Sequence, residues 1–187
     1  MLASVVLLTV GALCETAPLR PSGGRFVHPT LGYAVDAPEV SPLEWQARPV
    51  EGTDMAFAKA DGSSLTLMSD CTRGPAHPSL LARQLLIGTT DRELIQSYPI
   101  ALGTDPGWKL VFTTGEGGRV LRVTAVTVAS GRCTFDWLWL AVDGETTDDG
   151  AWFDRWWASF ERHPGAARAT PQASSATREA ISVEGAP

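Results

Sequence analysis

The segment CTFDWLWLAV, residues 133–142, constrains the fold of this chain more than any other. In an extended strand successive side chains project to opposite faces. Two apolar sets result: Cys133, Phe135, Trp137 and Trp139 on one face, and Leu138, Leu140 and Val142 on the other. A strand that is apolar on both faces must be covered on both sides, which predicts a central position in a sheet.

An aromatic helix is predicted to follow this strand. The sequence DDGAWFDRWWASFER, residues 148–162, has Thr147 before it as an N-cap. Its aromatic residues recur at three- and four-residue spacing and form one broad face: Trp152, Phe153, Trp156, Trp157 and Phe160. Trp156 and Trp157 are adjacent and cannot both face the sheet. One of them should lie at the helix flank, where we predict a surface for a protein partner.

The remaining elements are short and separated by turn residues. A hairpin around Asp61-Gly62 is predicted to have a type I′ turn. A helix is expected between Ser79, as its cap, and Gly88. The strands are expected at residues 25–28, 32–38, 55–60, 64–71, 94–102, 108–114, 119–129 and 132–142, the last four forming a meander.

These elements together predict an α+β domain at residues 25–162, with an antiparallel sheet of about seven strands and helices packed on its faces. Residues 15–24 contain Pro, Ser and Gly and are expected to form a flexible tether. Residues 163–187 contain few large apolar side chains and are expected to be disordered.

The first fourteen residues, MLASVVLLTVGALC, are an uncharged apolar run typical of a signal peptide or lipoprotein leader. Cys14 is a candidate lipidation site. Leu13 stands where a lipobox has a small residue, so cleavage near Ala12 or Cys14 without lipidation fits equally well. Export to a periplasmic or outer-membrane-associated location is expected, with a membrane contact only through a lipid at Cys14.

The chain has three cysteines, and the two beyond the leader are Cys71 and Cys133. They are candidates for a disulfide, with two independent buried thiols as the alternative. Cys71 also lies near His77 and Asp70, the one combination that resembles an activated thiolate. The Gly- and Pro-containing loop CTRGPAHP lacks a helix N-terminus that would lower the pKa of the thiol, so we expect a structural cysteine.

Charge and motifs exclude several classes of function. The net charge is −6 without a basic cluster, so nucleic acid is not an expected partner. No GxSxG elbow or CxxC spacing occurs, and His28, His77 and His163 are isolated. We therefore expect no catalytic residue, no metal site and no cofactor.

The order of elements resembles the PsbP/DcrB-like superfamily. The resemblance covers residues 25–162 and lies in four segments: the opening GRFVHPTLGYAVDAPEV with Trp45, the Asp-Gly hairpin before a helix ending at Gly88, the connection LGTDPGWKLVF, and the closing DRWWASFER. It implies a sheet with helices on its faces and an extrinsic subunit, chaperone or lipoprotein accessory without a shared active site.

Three functions follow as hypotheses. The first is a non-enzymatic exported accessory or scaffold protein that binds a protein partner in the cell envelope. The second, which the resemblance alone implies, is a cytosolic chaperone that shields an apolar segment of a secreted effector. The third is an enzyme that uses Cys71.

Overall fold

The computed structural model describes residues 21–22, 24–38, 45–72, 76–142 and 150–162. In chain order the elements are β1 (Pro21–Ser22), β2 (Arg25–Val27), β3 (Tyr33–Asp36), β4 (Gln46–Ala47), β5 (Met55–Ala58), β6 (Ser64–Asp70), α1 (Pro78–Gln84), β7 (Glu93–Leu102), β8 (Asp105–Glu116), β9 (Arg119–Ser130), β10 (Cys133–Val142), α2 (Ala151–Ala158) and β11 (Glu161–Arg162). The α+β class and the seven-stranded sheet predicted from the sequence are confirmed.

The large sheet is antiparallel and has the order β4-β5-β6-β10-β9-β8-β7. Strand β10 pairs with β6 on one side and with β9 on the other, so it is central as its two apolar faces predict. Strands β7 to β10 follow one another in space as they do in sequence, which confirms the meander.

One face of the large sheet is covered by a small sheet, of order β1-β2-β3-β11, and by α2. Phe160, between α2 and β11, joins these layers because its ring lies 4.6 Å from that of Phe135 and 5.4 Å from that of Tyr33, between centroids. The ring of Trp137 is 5.3 Å from Phe160 in an edge-on arrangement. Such aromatic pairs stabilise a core beyond the area they bury.

The opposite face of the sheet is covered in part by α1. Leu85 and Leu86, which follow α1, pack with Leu138 and Leu140 of β10 against a buried cluster. The members of that cluster are Leu110, Phe112, Val123 and Ala125. Both faces of β10 thus adjoin a hydrophobic cluster, one on the side of α2 and one on the side of α1, while α1 itself packs on β8 and β9.

Two local details, the turn at Asp61-Gly62 and the cap of α1, differ from the prediction. Asp61 keeps a negative φ and Gly62 alone has a positive one, 98°, so the turn is not type I′. The carboxylate of Asp61 instead accepts a hydrogen bond from the Ser63 N–H at 2.7 Å. At α1 the cap is His77, whose Nδ1 accepts from the Ser79 N–H, because Pro78 occupies the first helical position.

The helix predicted at residues 148–162 is shorter in the structure. Strand β11 replaces its last turn, because Glu161 and Arg162 pair with Ala34 and Tyr33 of β3. Residues 147–149 lie outside the described residues. Strand β1 pairs with β2 inside the segment 15–24 that the sequence predicts as a tether. Within the part of the chain that is described, no helix is long and apolar enough to span a bilayer.

Candidate interaction surface

Helix α2 divides the two adjacent tryptophans between core and surface. Trp156 is 2% exposed and packs against Phe153, with ring centroids 5.9 Å apart. Trp157 is partly exposed. Because residues one apart on a helix differ by about 100° in direction, only one of the pair can face the sheet. Trp157 is therefore the ring of this pair that reaches the surface.

A charged pair holds this flank of α2 against the sheet. The Lys109 Nζ of β8 lies 2.5 Å from the Asp154 Oδ1, and the Trp157 Nε1 donates to the same oxygen at 2.9 Å. The lysine side chain is 12% exposed and that of Asp154 is 45% exposed. Lys109 lies on the same face of the sheet as the core residue Val126, the residue of β9 with which it is paired. The pair thus lies where the core meets solvent.

Strand β7 forms the edge of the large sheet beside this pair. Tyr98 of β7 is directly opposite Lys109 and is exposed. Most other side chains of the ten-residue strand are exposed as well, among them Leu94 and Ile95. Among the described residues no strand pairs with the outer side of β7. Tyr98, Lys109, Asp154 and Trp157 together define what we call the β7–α2 surface.

The outward backbone of β7 is interrupted by a proline. Leu102 and Asp105 flank a two-residue turn, Gly103-Thr104, and such a closing pair exchanges both hydrogen bonds. Hydrogen-bonded and non-hydrogen-bonded pairs alternate along an antiparallel ladder. The backbone polar groups of Ala101, Pro99 and Ser97 therefore point away from β8. Pro99 has no N–H to offer to an incoming strand. A register shift between Leu94 and Gln96 further distorts the edge.

A second polar cluster links the small sheet to the large one. The Tyr33 hydroxyl donates to the Asp54 Oδ2 at 2.8 Å, and the His28 Nε2 lies 3.7 Å from the Asp54 Oδ1. Burial lowers the pKa of His28, while the charge of Asp54 opposes that shift. Burial, followed by the charge and hydrogen bond of Asp54, raises the pKa of Tyr33 far above its ordinary range.

Comparison with known structures identifies the architecture. The solution structure of cyanobacterial PsbP (CyanoP) from Synechocystis sp. PCC 6803 superposes with a TM-score of 0.57 at 14% identity, covering 83% of this chain and 98% of that one. The chain has a PsbP/DcrB-like fold.

Two further structures of comparable similarity support this fold. LpqN of Mycobacterium tuberculosis, described as involved in cell envelope biogenesis, gives a TM-score of 0.56 at 14% identity, covering 75% of this chain and 90% of that one. A crystal structure from Bacteroides thetaiotaomicron VPI-5482 gives 0.51 at 15% identity, covering 76% of this chain and 49% of that one. No family model and no curated protein matches the sequence.

Within the PsbP/DcrB-like fold, Cys71 and Cys133 form a disulfide with an S–S distance of 2.06 Å. The bond connects the end of β6 to the start of β10, one residue beyond the pair Asp70 and Thr134. In this disulfide Cys71 has no thiol to ionise, so the bonded form does not supply the nucleophile that an enzyme using Cys71 would need. His77 caps α1 through its Nδ1.

The structure does not bring a metal-binding set together among the described residues. Cys14, His163 and residues 143–149 lie outside the described residues. The sequence indicated that either Trp156 or Trp157 would reach the surface, and it gave no indication of Tyr98 and Lys109, because neither strand order nor register can be deduced from local spacing. One available signal was Pro99, since a proline within a strand pattern favours an edge position.

Proposed function

We propose that this chain is a non-enzymatic accessory protein of the cell envelope that binds a protein partner through the β7–α2 surface. The observation that carries the proposal is that the exposed Tyr98 lies opposite Lys109, while Trp157 donates to the Asp154 carboxylate that Lys109 contacts. Tyrosine and tryptophan are favoured anchors at protein interfaces, because each combines a large apolar area with a polar group.

Three features support a location outside the cytoplasm. Residues 1–14 have the composition of a leader. The Cys71–Cys133 disulfide is of a kind that persists in oxidising compartments and is rare in the cytosol. LpqN, one of the proteins with a similar fold, is described as involved in cell envelope biogenesis. The disulfide also disfavours the alternative of a cytosolic chaperone for an apolar segment.

Site-specific photo-crosslinking tests the surface. A photoreactive residue placed at position 98 should capture a protein in intact cells. The same residue at Val50, which is also exposed but follows β4 on the opposite edge of the sheet, should not. Trp157→Ala should weaken capture from position 98 while circular dichroism shows a folded protein. Equal capture from both positions, or capture unaffected by Trp157→Ala, would contradict the proposal.

Mass spectrometry of the mature protein tests export and anchoring. A lipid mass on Cys14 that is lost in Cys14→Ser would establish the anchored form. A product cleaved near Ala12 or Cys14 without lipid would establish the soluble exported form. Full-length unprocessed protein in the cytosol, with free thiols at Cys71 and Cys133, would overturn the envelope assignment.

A further inference from the structure

The turn between β2 and β3 is fastened by the ring of His28. The Nδ1 of His28 accepts hydrogen bonds from the Thr30 N–H at 3.3 Å and from the Leu31 N–H at 3.1 Å. An atom that faces two N–H donors carries no proton itself. The neutral ring therefore has its proton on Nε2, which faces the Asp54 carboxylate.

This arrangement leaves no position for a second proton. Protonation of His28 would place an N–H on Nδ1, directly against the two backbone N–H groups. The ring has little freedom to turn away, because it packs on Tyr33 with centroids 5.0 Å apart and its side chain is 14% exposed. The charged imidazolium is thus incompatible with the closed turn.

We propose that His28 makes the β2–β3 turn an acid-sensitive latch, which opens at residues 28–32 when the imidazole is protonated. Opening releases Leu31, which packs against the core, and separates His28 from Asp54, to which Tyr33 of the small sheet also bonds. The latch therefore couples acidity to the contact between the small and large sheets. It is independent of the β7–α2 surface and of the proposed function.

The groups around the His28 ring determine whether acid opens or closes the β2–β3 turn. Among the described residues, Asp54 is the charged group that acts on His28, and Tyr33 is the titratable group that stacks on it. Burial lowers the pKa of His28 and outweighs the attraction of Asp54. A group whose pKa is lowered in the closed state binds its proton better in the open state, so acid favours opening.

Nuclear magnetic resonance provides the test on the full chain. The ring nitrogen shifts should show an unprotonated Nδ1 for His28 at neutral pH. Hydrogen-exchange protection of the Thr30 and Leu31 amides, corrected for the intrinsic rate, should fall about tenfold per pH unit below about 6.5, until the pKa of the closed state is reached.

The variant His28→Asn separates protonation from general acid sensitivity. Its side-chain oxygen can replace Nδ1 as the acceptor but does not titrate. We expect the amides of Thr30 and Leu31 to stay protected in this variant over the pH range in which the wild type loses protection. The proposal is overturned if the Nδ1 of His28 carries a proton at neutral pH, or if His28→Asn loses protection as the wild type does.

Discussion

Asp136 of β10 is a carboxyl group that the fold largely removes from water. The Thr127 hydroxyl donates to its Oδ1 at 2.5 Å. Burial raises the pKa of Asp136, the charge of Asp70 raises it further, and the bond from Thr127 opposes these effects. A carboxyl with a raised pKa binds its proton better in the folded state. Stability is therefore lost as pH rises from the ordinary value of about 3.9 through the folded pKa.

The substitution Asp136→Asn should consequently stabilise the protein at neutral pH. The amide oxygen still accepts from Thr127, while the buried charge is removed. Urea unfolding should give a higher free energy of unfolding than the wild type at pH 7 and no such gain below about pH 4, where the wild-type carboxyl is protonated. A loss of stability at pH 7 would show that the ionised carboxylate is favourable.

The substitution Asp154→Asn should have the opposite effect. It leaves the mostly buried ammonium of Lys109 without its counter-charge. We expect the free energy of unfolding to fall by about 1–2 kcal/mol, less than for a fully buried pair because Asp154 is half exposed.

The matched control for Asp154→Asn is Glu161→Gln. Glu161 pairs with Arg25 at 2.9 Å between side chains that are 59% and 33% exposed. Its removal should lower the free energy of unfolding by less than about 1 kcal/mol. Equal losses of unfolding free energy in the two variants would mean that the burial of Lys109 does not increase the cost of removing its counter-charge.

For individual residues, the sequence predicted only those positions that follow from the spacing of residues along a helix. The adjacency of Trp156 and Trp157 indicated that one ring must leave the core, and Trp157 does so. The Lys109–Asp154 pair could not be found in the same way, because its members are 45 residues apart and meet only through the packing of α2 on β8.

Among the elements, β7 is an edge strand whose exposed backbone bears on self-association. A long exposed edge strand is a template for pairing with a second chain, and Pro99 is a common protection against it. Pro99→Thr would restore an outward N–H without removing a bond to β8. We expect this variant to self-associate at concentrations where the wild type is unchanged, measured by sedimentation velocity.

The control for Pro99→Thr is Pro106→Thr. Pro106 lies in β8, opposite Ala101, in a pair that is not hydrogen-bonded, so its nitrogen faces the β9 side of the sheet and not the free edge of β7. Restoring its N–H adds no donor at the free edge, so self-association should not change. If Pro99→Thr also leaves the sedimentation behaviour unchanged, the missing N–H is not what protects the edge.

The elements themselves were largely predictable, and their ends were not. The meander followed from short turns between apolar segments, and the central position of β10 from its alternation. The prediction of the last turn of the closing helix was wrong because the Ser159 side chain forms a hydrogen bond outside the helix. Its hydroxyl accepts from the Asp36 N–H of β3 at 2.9 Å, and the chain then continues as β11. Such contacts between distant segments leave no local pattern in the sequence.

For the whole molecule, the Cys71–Cys133 disulfide is the covalent link between two parts of the large sheet. It joins residues separated by 62 positions, so it restricts the unfolded chain considerably. Replacing both cysteines by alanine should lower the free energy of unfolding by about 2–4 kcal/mol. Urea unfolding of the wild type with and without reductant provides the comparison, and identical curves would contradict the expectation.

The same bond has a consequence for the fate of damaged copies. A single peptide-bond cleavage anywhere between Cys71 and Cys133 yields two fragments that stay covalently joined. One fragment contains β5 and β6, and the other contains β10 with α2. Electrophoresis would show a nicked molecule at full length until a reductant is added, so intactness of this protein must be judged on reducing gels.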